Sequence, residues 1–494
     1  MIHSRKPLIM GTASLIALVA FVQQGHAMTA QEVWDSWQQF AATYGETINV
    51  EQITQTPDGL ILSGVSYAMG EDGFGIAGEA GDIFLTEQAD GSVLITGAEE
   101  TVIAMTTVGE DGEVFEMTFL QSLPDMEVLV TNISDGVAFD YSILDMGFEI
   151  IDATLDGAAF PLSMMVDIGA LEGSYSQTMA APSFGVDYSV IDTSVQISAR
   201  NPEDASTLEM DLILDSVVGT ARSKGSMESD SGVDAQGSTL FGPMDLHVDV
   251  SGSPDAFVLD LLSEGGNGSG QVSDTQMTYN VNYNPFEVSV SGAKIPLPEV
   301  SFSVGGISTT LMMPLAKSSV PQPFLFKTAL TDFAIGTAIW NLIDPAEILP
   351  RVPASLVIDV AGLGNWFVDI FDPEVTASDD IPGEIHALSI SEVLLELAGA
   401  RLEAQGNFTF DNNDLTTFEG MPRPTGALDI TLIGVNTLVD RLVQMGLLPA
   451  DQAMGLRMMS GMILRPGNGE DTLVSKIEIS PDGRVLANGQ ALPF

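Results

Sequence analysis

From about residue 48 to residue 319 the chain consists of short runs in which apolar and polar side chains alternate, each closed by a turn dipeptide. "GLILSGVSYAM", "SVLITGAEETVIAMTTV" and "GEVFEMTFL" carry the rhythm, and Asp58-Gly59, Asp90-Gly91, Asp111-Gly112, Asp135-Gly136 and Asp156-Gly157 punctuate it. A period of two sends successive side chains to opposite faces of a strand, and Asp-Gly tolerates the positive φ that a tight hairpin needs. The pattern predicts a mainly β protein of large, twisted antiparallel sheets with one apolar face and room for an open groove. The spacing is too irregular for a true repeat.

Helices interrupt the rhythm in a few places. In "TAQEVWDSWQQFAATYG" (residues 29–45), Thr29 and Glu32 form a capping-box pair and Gly45 is a fitting stop. Val33, Trp37, Phe40 and Tyr44 fall on one face, with Trp34 and Ala41 beside them, so this N-terminal helix is expected to dock on a sheet. "KTALTDFAIGTAIWNLID" also reads as a helix, and "PAEILPRVPASLVIDVAG" as a proline-punctuated loop entering a strand. "EVLLELAGARLEAQGNFTFDNND" alternates again, with Val393, Leu395, Leu397, Leu402 and Ala404 inward and Glu392, Glu396, Arg401, Glu403 and Gln405 outward. Asn436 is the expected cap of a helix ending at Gly446, Pro449 opens another, and a hairpin turning at Pro481-Asp482-Gly483 closes the chain. The expected organisation is a leader (1–27) and one domain (28–494). That domain comprises a helix (28–45), a β-rich part (46–320) and a C-terminal β part with covering helices (321–494). The change of texture near Pro321 is read as a connection within one fold.

The first 27 residues have the layout of a secretory signal: Arg5 and Lys6, an apolar stretch over residues 8–22, and the small-residue exit Gly25-His26-Ala27. The stretch is shorter than the roughly 20 residues of a spanning helix, although its length leaves an uncleaved anchor open. No later segment reads as a span, because the best candidate carries Lys327 and Asp332. A periplasmic or secreted location follows, in a chain with no cysteine to form disulfides. Without Arg5 and Lys6 the chain keeps 14 basic against 68 acidic side chains, a net charge of −54. Such a surface repels nucleic acid and bare anionic lipid headgroups, because both need Lys and Arg for phosphate contacts.

Motifs that would carry chemistry fail on context. Gly73-Phe74-Gly75-Ile76-Ala77-Gly78 has dinucleotide-loop spacing but leads into a hairpin instead of a helix, and acidic neighbours would repel a pyrophosphate. Ser291-Gly292-Ala293-Lys294 matches Ser-x-x-Lys, yet Gly292 and Pro296 oppose the required helix, and Lys327-Thr328-Ala329 is no Lys-Thr-Gly partner. Beyond the leader only His247 and His386 remain, too few for a catalytic zinc in a chain without cysteine. Asp411-Asn412-Asn413-Asp414 lacks calcium-loop spacing and reads as a solvated turn. No catalytic, cofactor or metal residue is therefore expected. Met454, Met458, Met459 and Met462 sit at helical spacing, which suits either core packing or a deformable groove lining.

"IWNLIDPAEILPRVPASLVIDVAG", "GNFTFDNNDLTTFEGMPRPTGALDITLIGVNTLVDRLVQMGLLPADQAMGLRMM" and "GRVLANGQAL" resemble the bacterial domain-of-unknown-function 2125 family, exported proteins of alphaproteobacteria. The opening "AQEVWDSWQQFAATYG" is similar to the start of that family, so the resemblance is expected to cover nearly the whole chain after the leader. The resemblance brings no established activity or site residues. Strand texture such as "LELAGARLEAQGNFTFD" is also similar to AsmA-like envelope proteins, which implies a long apolar β groove linked to lipid transport. The expected function is a non-enzymatic envelope protein holding a lipid or other amphiphile. The alternative is a structural or interaction protein with a closed core, its contacts made to another envelope protein.

Overall fold

The structure, a computed structural model, describes residues 27–43, 45–71, 73–109, 112–134, 136–178, 183–225, 233–368 and 383–492. The leader up to residue 26, Tyr44, Asp111, Asp135 and the Phe40 side chain, all part of the expectations above, lie outside them. The protein is mainly β, built of antiparallel ladders, with four helices among the described residues. It divides into two compact units: the chain up to Leu262 with Gly292–Lys294, and Ser263–Ser291 with the chain from Ile295 onward. The texture change at Pro321 falls inside the second unit.

In the first unit four long strands, Gly136–Leu155, Leu162–Thr178, Ser183–Arg200 and Thr207–Gly225, lie side by side. Shorter strands share their flanks end to end: Val114–Ser122 and Glu127–Ile133 both pair with Gly136–Leu155. Likewise Val233–Phe241 and Met244–Ser251 both pair with Thr207–Gly225. The register lines up Phe148, Val166, Val195, Leu212 and Leu246 in one apolar row. One residue along, Asp167, Ser194, Ile213 and Asp245 form the neighbouring row on the opposite, mostly polar face. The predicted alternation is thus realised as a two-faced sheet.

At one end of this unit the apolar face is closed. Helix Ala30–Thr43 starts on the capping box, with Thr29 N donating to Glu32 Oε2 (2.9 Å) and Glu32 N to Thr29 Oγ1 (3.3 Å). Ala30 N also donates to Glu87 Oε1 at 2.9 Å, which ties the helix start to strand Phe74–Glu87. Val33, Trp34 and Trp37 bury against Leu62, Val65, Ile83, Ile95, Val130 and Phe139. The two indoles meet edge to face with centroids 5.6 Å apart, the arrangement favoured by aromatic quadrupoles. Gly45, at φ 75°, ends the element.

The second unit repeats the two-faced design. Leu330, Leu356, Leu395, Leu402, Leu432 and Leu473 stand in register across six strands, and none of the six is buried. On the other face Lys327, Asp359 and Glu392 are aligned, as are Gln405, Asp429 and Lys476. Lys327 beside Asp359 and Asp429 beside Lys476 place opposite charges across neighbouring strands and stabilise that face, whereas Asp359 and Glu392 set two carboxylates side by side.

Two expectations are corrected here. "KTALTDFAIGTAIWNLID" is not one helix: strand Gln322–Ile335 covers its first half and only Thr337–Ile343 is helical. Phe324, Phe326, Thr328 and Leu330 alternate, but Asp332, at φ 52°, breaks the register and returns Phe333 to the same side. The bulge converts a spacing of two into a spacing of three, which imitates a helix. Secondly, Asn436 does not cap the helix that ends near Gly446. It lies within helix Val435–Gln444, whose first turn is held by Asp471 from the chain beyond both C-terminal helices. Asn436 N and Thr437 N donate to Asp471 Oδ1 (3.2 Å) and Oδ2 (2.8 Å).

Both units place large aromatic rings over glycines on the adjacent strand. Tyr67 faces Gly78, Tyr141 faces Gly173 and Tyr188 faces Gly219 in the first unit. Phe324 faces Gly362, Trp366 faces Gly383 and Phe408 faces Gly426 in the second. A Cβ added at Gly78, Gly219 or Gly362 would lie 2.3 Å from the facing ring, so only glycine leaves space for it. The ring in turn covers the strand backbone that glycine exposes. Burial, then the nearby Glu46 charge, push the Tyr67 hydroxyl up to about 12.

Candidate functional site

An apolar hollow lies on the apolar face of the second unit, across strands Gly306–Pro314, Gln322–Ile335, Ala354–Trp366 and Gly383–Leu397. Its volume is about 320 Å³, at the small end of ligand pockets. Leu311, Met313, Phe324, Phe326, Trp366 and Ile385 supply the side chains. Gly364 and Gly383 keep the floor low, and the neighbouring Gly362 leaves room for the Phe324 ring. The glycines therefore do more than relieve crowding: they turn a flat sheet face into a depression walled by aromatics.

Two polar side chains of the lining, those of Trp366 and Asn365, are satisfied away from the hollow, while Glu384 brings a carboxylate to its rim, 3.7 Å from His386. Trp366 donates its indole N–H to Pro314 O at 2.8 Å, which leaves the ring faces apolar. Asn365, buried, donates from Nδ2 to Ser318 O (3.1 Å), and its Oδ1 bonds His386 Nε2 (2.6 Å). His386 thus braces the wall instead of facing a reactant. An apolar group can enter without stranding the Trp366 indole N–H or the Asn365 amide, and the lining offers no nucleophile beside a base.

A second hollow, about 750 Å³ and wide open, lies over the polar face of the same unit. Ser389, Gln405, Asn407, Asp429, Lys476 and Glu478 line it. Its one cation, Lys476, is bonded to Glu478 at 2.9 Å, and that contact raises its pKa. With Asp429 also at hand, the hollow has no spare positive charge for an anion.

The residues singled out from sequence are scattered. Gly78 lies inside strand Phe74–Glu87 under the Tyr67 ring, so the glycine motif forms no phosphate loop. Ser291 sits in strand Phe286–Gly292, and Lys294 pairs with Asp255. His247 is hydrogen-bonded to Asp260 at 2.6 Å; this bond first, then the Asp260, Asp249 and Asp211 charges, raises its pKa. Asp411 and Asp414 are held by Arg423 at 2.8 and 3.0 Å. Asp414 also accepts bonds from Thr417 and Thr416, which lower its carboxyl to about 2. The acidic turn is a structural clasp. Among the described residues no group of three His, Asp or Glu is placed to hold a metal. Met454, Met458, Met459 and Met462 do not line either hollow; they are 65, 71, 69 and 62 % exposed.

These features define an antiparallel β protein whose sheets each keep one apolar face, in one unit hollowed into a small apolar basin. Residues 286–492, most of the second unit, match the family described as "Uncharacterized protein conserved in bacteria (DUF2125)". The resemblance read from the C-terminal motifs therefore holds, while the helix at residue 30 precedes the matched stretch. No curated protein and no solved structure matches the chain, so the similarity to AsmA-like proteins gains no support.

Proposed function

We propose that this is an exported, non-enzymatic envelope protein that shelters the acyl part of a lipid or similar amphiphile on its apolar sheet faces. The observation that carries the reading is the basin between Leu311, Phe326, Trp366 and Ile385, beside which the Trp366 indole N–H and the Asn365 amide are already bonded elsewhere. The adjoining unburied leucine row and the Phe148–Leu246 row of the first unit offer further apolar surface on which a chain would gain burial. The leader composition supports delivery to the periplasm or beyond. The closed interior under helix Ala30–Thr43 favours the interaction-protein alternative for that end alone.

The test is binding of a fluorescent fatty acid to detergent-free protein, with competition by phospholipid. Saturable, competable binding is expected, and Phe326→Asp should weaken it at least about tenfold, because a charge then faces the apolar lining. Equal affinity in wild type and variant, or no saturable binding, overturns the reading.

A further inference from the structure

Strand Thr472–Ile479 pairs along one side with Arg423–Ile433. Alternate residues of an antiparallel strand turn N–H and C=O to the same side. On the side away from Arg423–Ile433 these are Thr472, Val474, Lys476 and Glu478, followed by Ser480, a row that would template a further strand. The chain meets each of them itself. Thr472 O accepts from Gly467 N at 2.9 Å, Val474 pairs with Arg465, Glu478 pairs with Leu486, and Ser480 N donates to Arg484 O at 3.0 Å. A gap is left at Lys476, and Asn488 fills it. Asn488 N donates to Lys476 O (2.8 Å), Lys476 N to Asn488 Oδ1 (3.0 Å) and Asn488 Nδ2 to Ile463 O (2.7 Å). Positive φ at Asn488 (52°) and Gly489 (83°) then turns the chain, so that Gln490–Ala491 lies against Val485–Ala487.

The pieces laid over this edge are poor templates themselves. Arg465–Pro466 and Val485–Ala487 are two and three residues long, and Pro466 has no N–H to offer. The strand they cover is eight residues long and self-complementary. Two copies paired antiparallel about Ile477 would set Lys476 of each against Glu478 of the other, with their outward N–H and C=O groups in register. The bond that Lys476 now makes to Glu478 along the strand, 2.9 Å, would be exchanged for two between copies. Leu473, Ile477 and Ile479 share the opposite face, so the apolar side would run on from one copy to the next. Repulsion between two acidic molecules is largely screened beyond about 8–10 Å at physiological salt, which leaves the local pairs to decide. A second copy is the partner that the covered edge fits.

We propose that residues 484–491, pinned by Asn488, are a strap that masks a self-complementary sheet edge and so keeps a second copy from joining its sheet to this one. The proposal stands apart from the acyl-chain basin and is tested without it. The measurements are sedimentation velocity of the full chain from about 1 to 100 μM and hydrogen–deuterium exchange at the lowest concentration. Wild type should sediment as a monomer throughout. Leu486→Pro with Asn488→Gly removes the N–H directed at Glu478 and the side chain that fills the gap, and leaves the turn its positive φ. This variant should take up deuterium faster across residues 472–480 and become dimeric as its concentration rises. Adding Lys476→Glu sets like charges opposite each other twice and should weaken that dimer at least about tenfold. Adding Lys476→Glu together with Glu478→Lys should restore it. A strap released by the exchange measurement in a chain that stays monomeric overturns the proposal. Unchanged exchange overturns it too, since Leu486 and Asn488 then hold nothing in place. So does association indifferent to Lys476→Glu, which would form elsewhere, or a wild-type dimer that Lys476→Glu weakens, which would mean the edge is already open.

Discussion

Two stretches of the first unit have the same binary pattern and opposite fates. Around Leu62, Val65, Ile83, Ile95, Val130 and Phe139 the apolar face lies under a helix, and Leu62 and Phe139 are 0 % exposed. Along Val166, Val195, Leu212 and Leu246 the same face, equally apolar, stays partly exposed. Alternation decides which side of a strand is greasy; it does not decide whether anything covers that side. The cover at the first end depends on one 14-residue helix with two tryptophans.

The largest test of this contrast is to weaken the cover. Trp34→Ala should cost the first unit about 3–5 kcal/mol in denaturant unfolding, because a large buried ring leaves a cavity. A cost near 1 kcal/mol would mean that the helix rests on the sheet without supporting it. Next comes Gly219→Val, which drives a side chain into the Tyr188 ring and should cost about 1–3 kcal/mol by overpacking. Combining it with Tyr188→Ala should recover part of that loss if the steric account is right.

Asp471→Ala probes a contact in the other unit and should cost about 1 kcal/mol, as for a lost helix cap. Burial raises the Asp471 carboxyl, but bonds from Thr437 and Asn436 outweigh burial and hold it below the ordinary carboxylate value. A folded value below the unfolded one stabilises the protein fully above the unfolded pKa, and that stability is lost as the pH falls through the folded value. Wild type should accordingly lose its advantage over the alanine variant in acid and keep it at neutral pH. The smallest effect is expected for Leu212→Ala on the open face, about 1 kcal/mol or less, since part of its surface stays in water and no closed cavity is left behind. If it matches a core substitution, the open face is covered in solution.

Signals that need only near neighbours are legible in the sequence. The Thr29–Glu32 box, the hairpins at Asp58-Gly59 and Asp90-Gly91, and the facing of Val393, Leu395, Leu402 and Ala404 all need only neighbours within a few residues. What failed was either disguised or remote. The bulge at Asp332 gave a strand the spacing of a helix, as Asp145 does between Ile143 and Met146 on one face. Asp471 lies far along the chain from the turn it caps, and no motif at residue 436 announces it. The basin was hidden for a related reason. Its ring-over-glycine pairs become visible only once register brings residues such as Phe324 and Gly362 together, although a glycine in an otherwise apolar strand is the available hint. The methionines were legible as a helix but not as an exposed one, because periodicity is blind to what lies opposite.

The Asp471 contact also bears on the order in which the protein takes shape. A chain made from its N-terminus releases the helix Val435–Gln444 well before the carboxylate that steadies its first turn. Until residue 471 follows, the two helices have only each other and the strands already laid down. A fragment stopping at residue 470 would contain every residue of both helices and lack the one that fixes where the first begins.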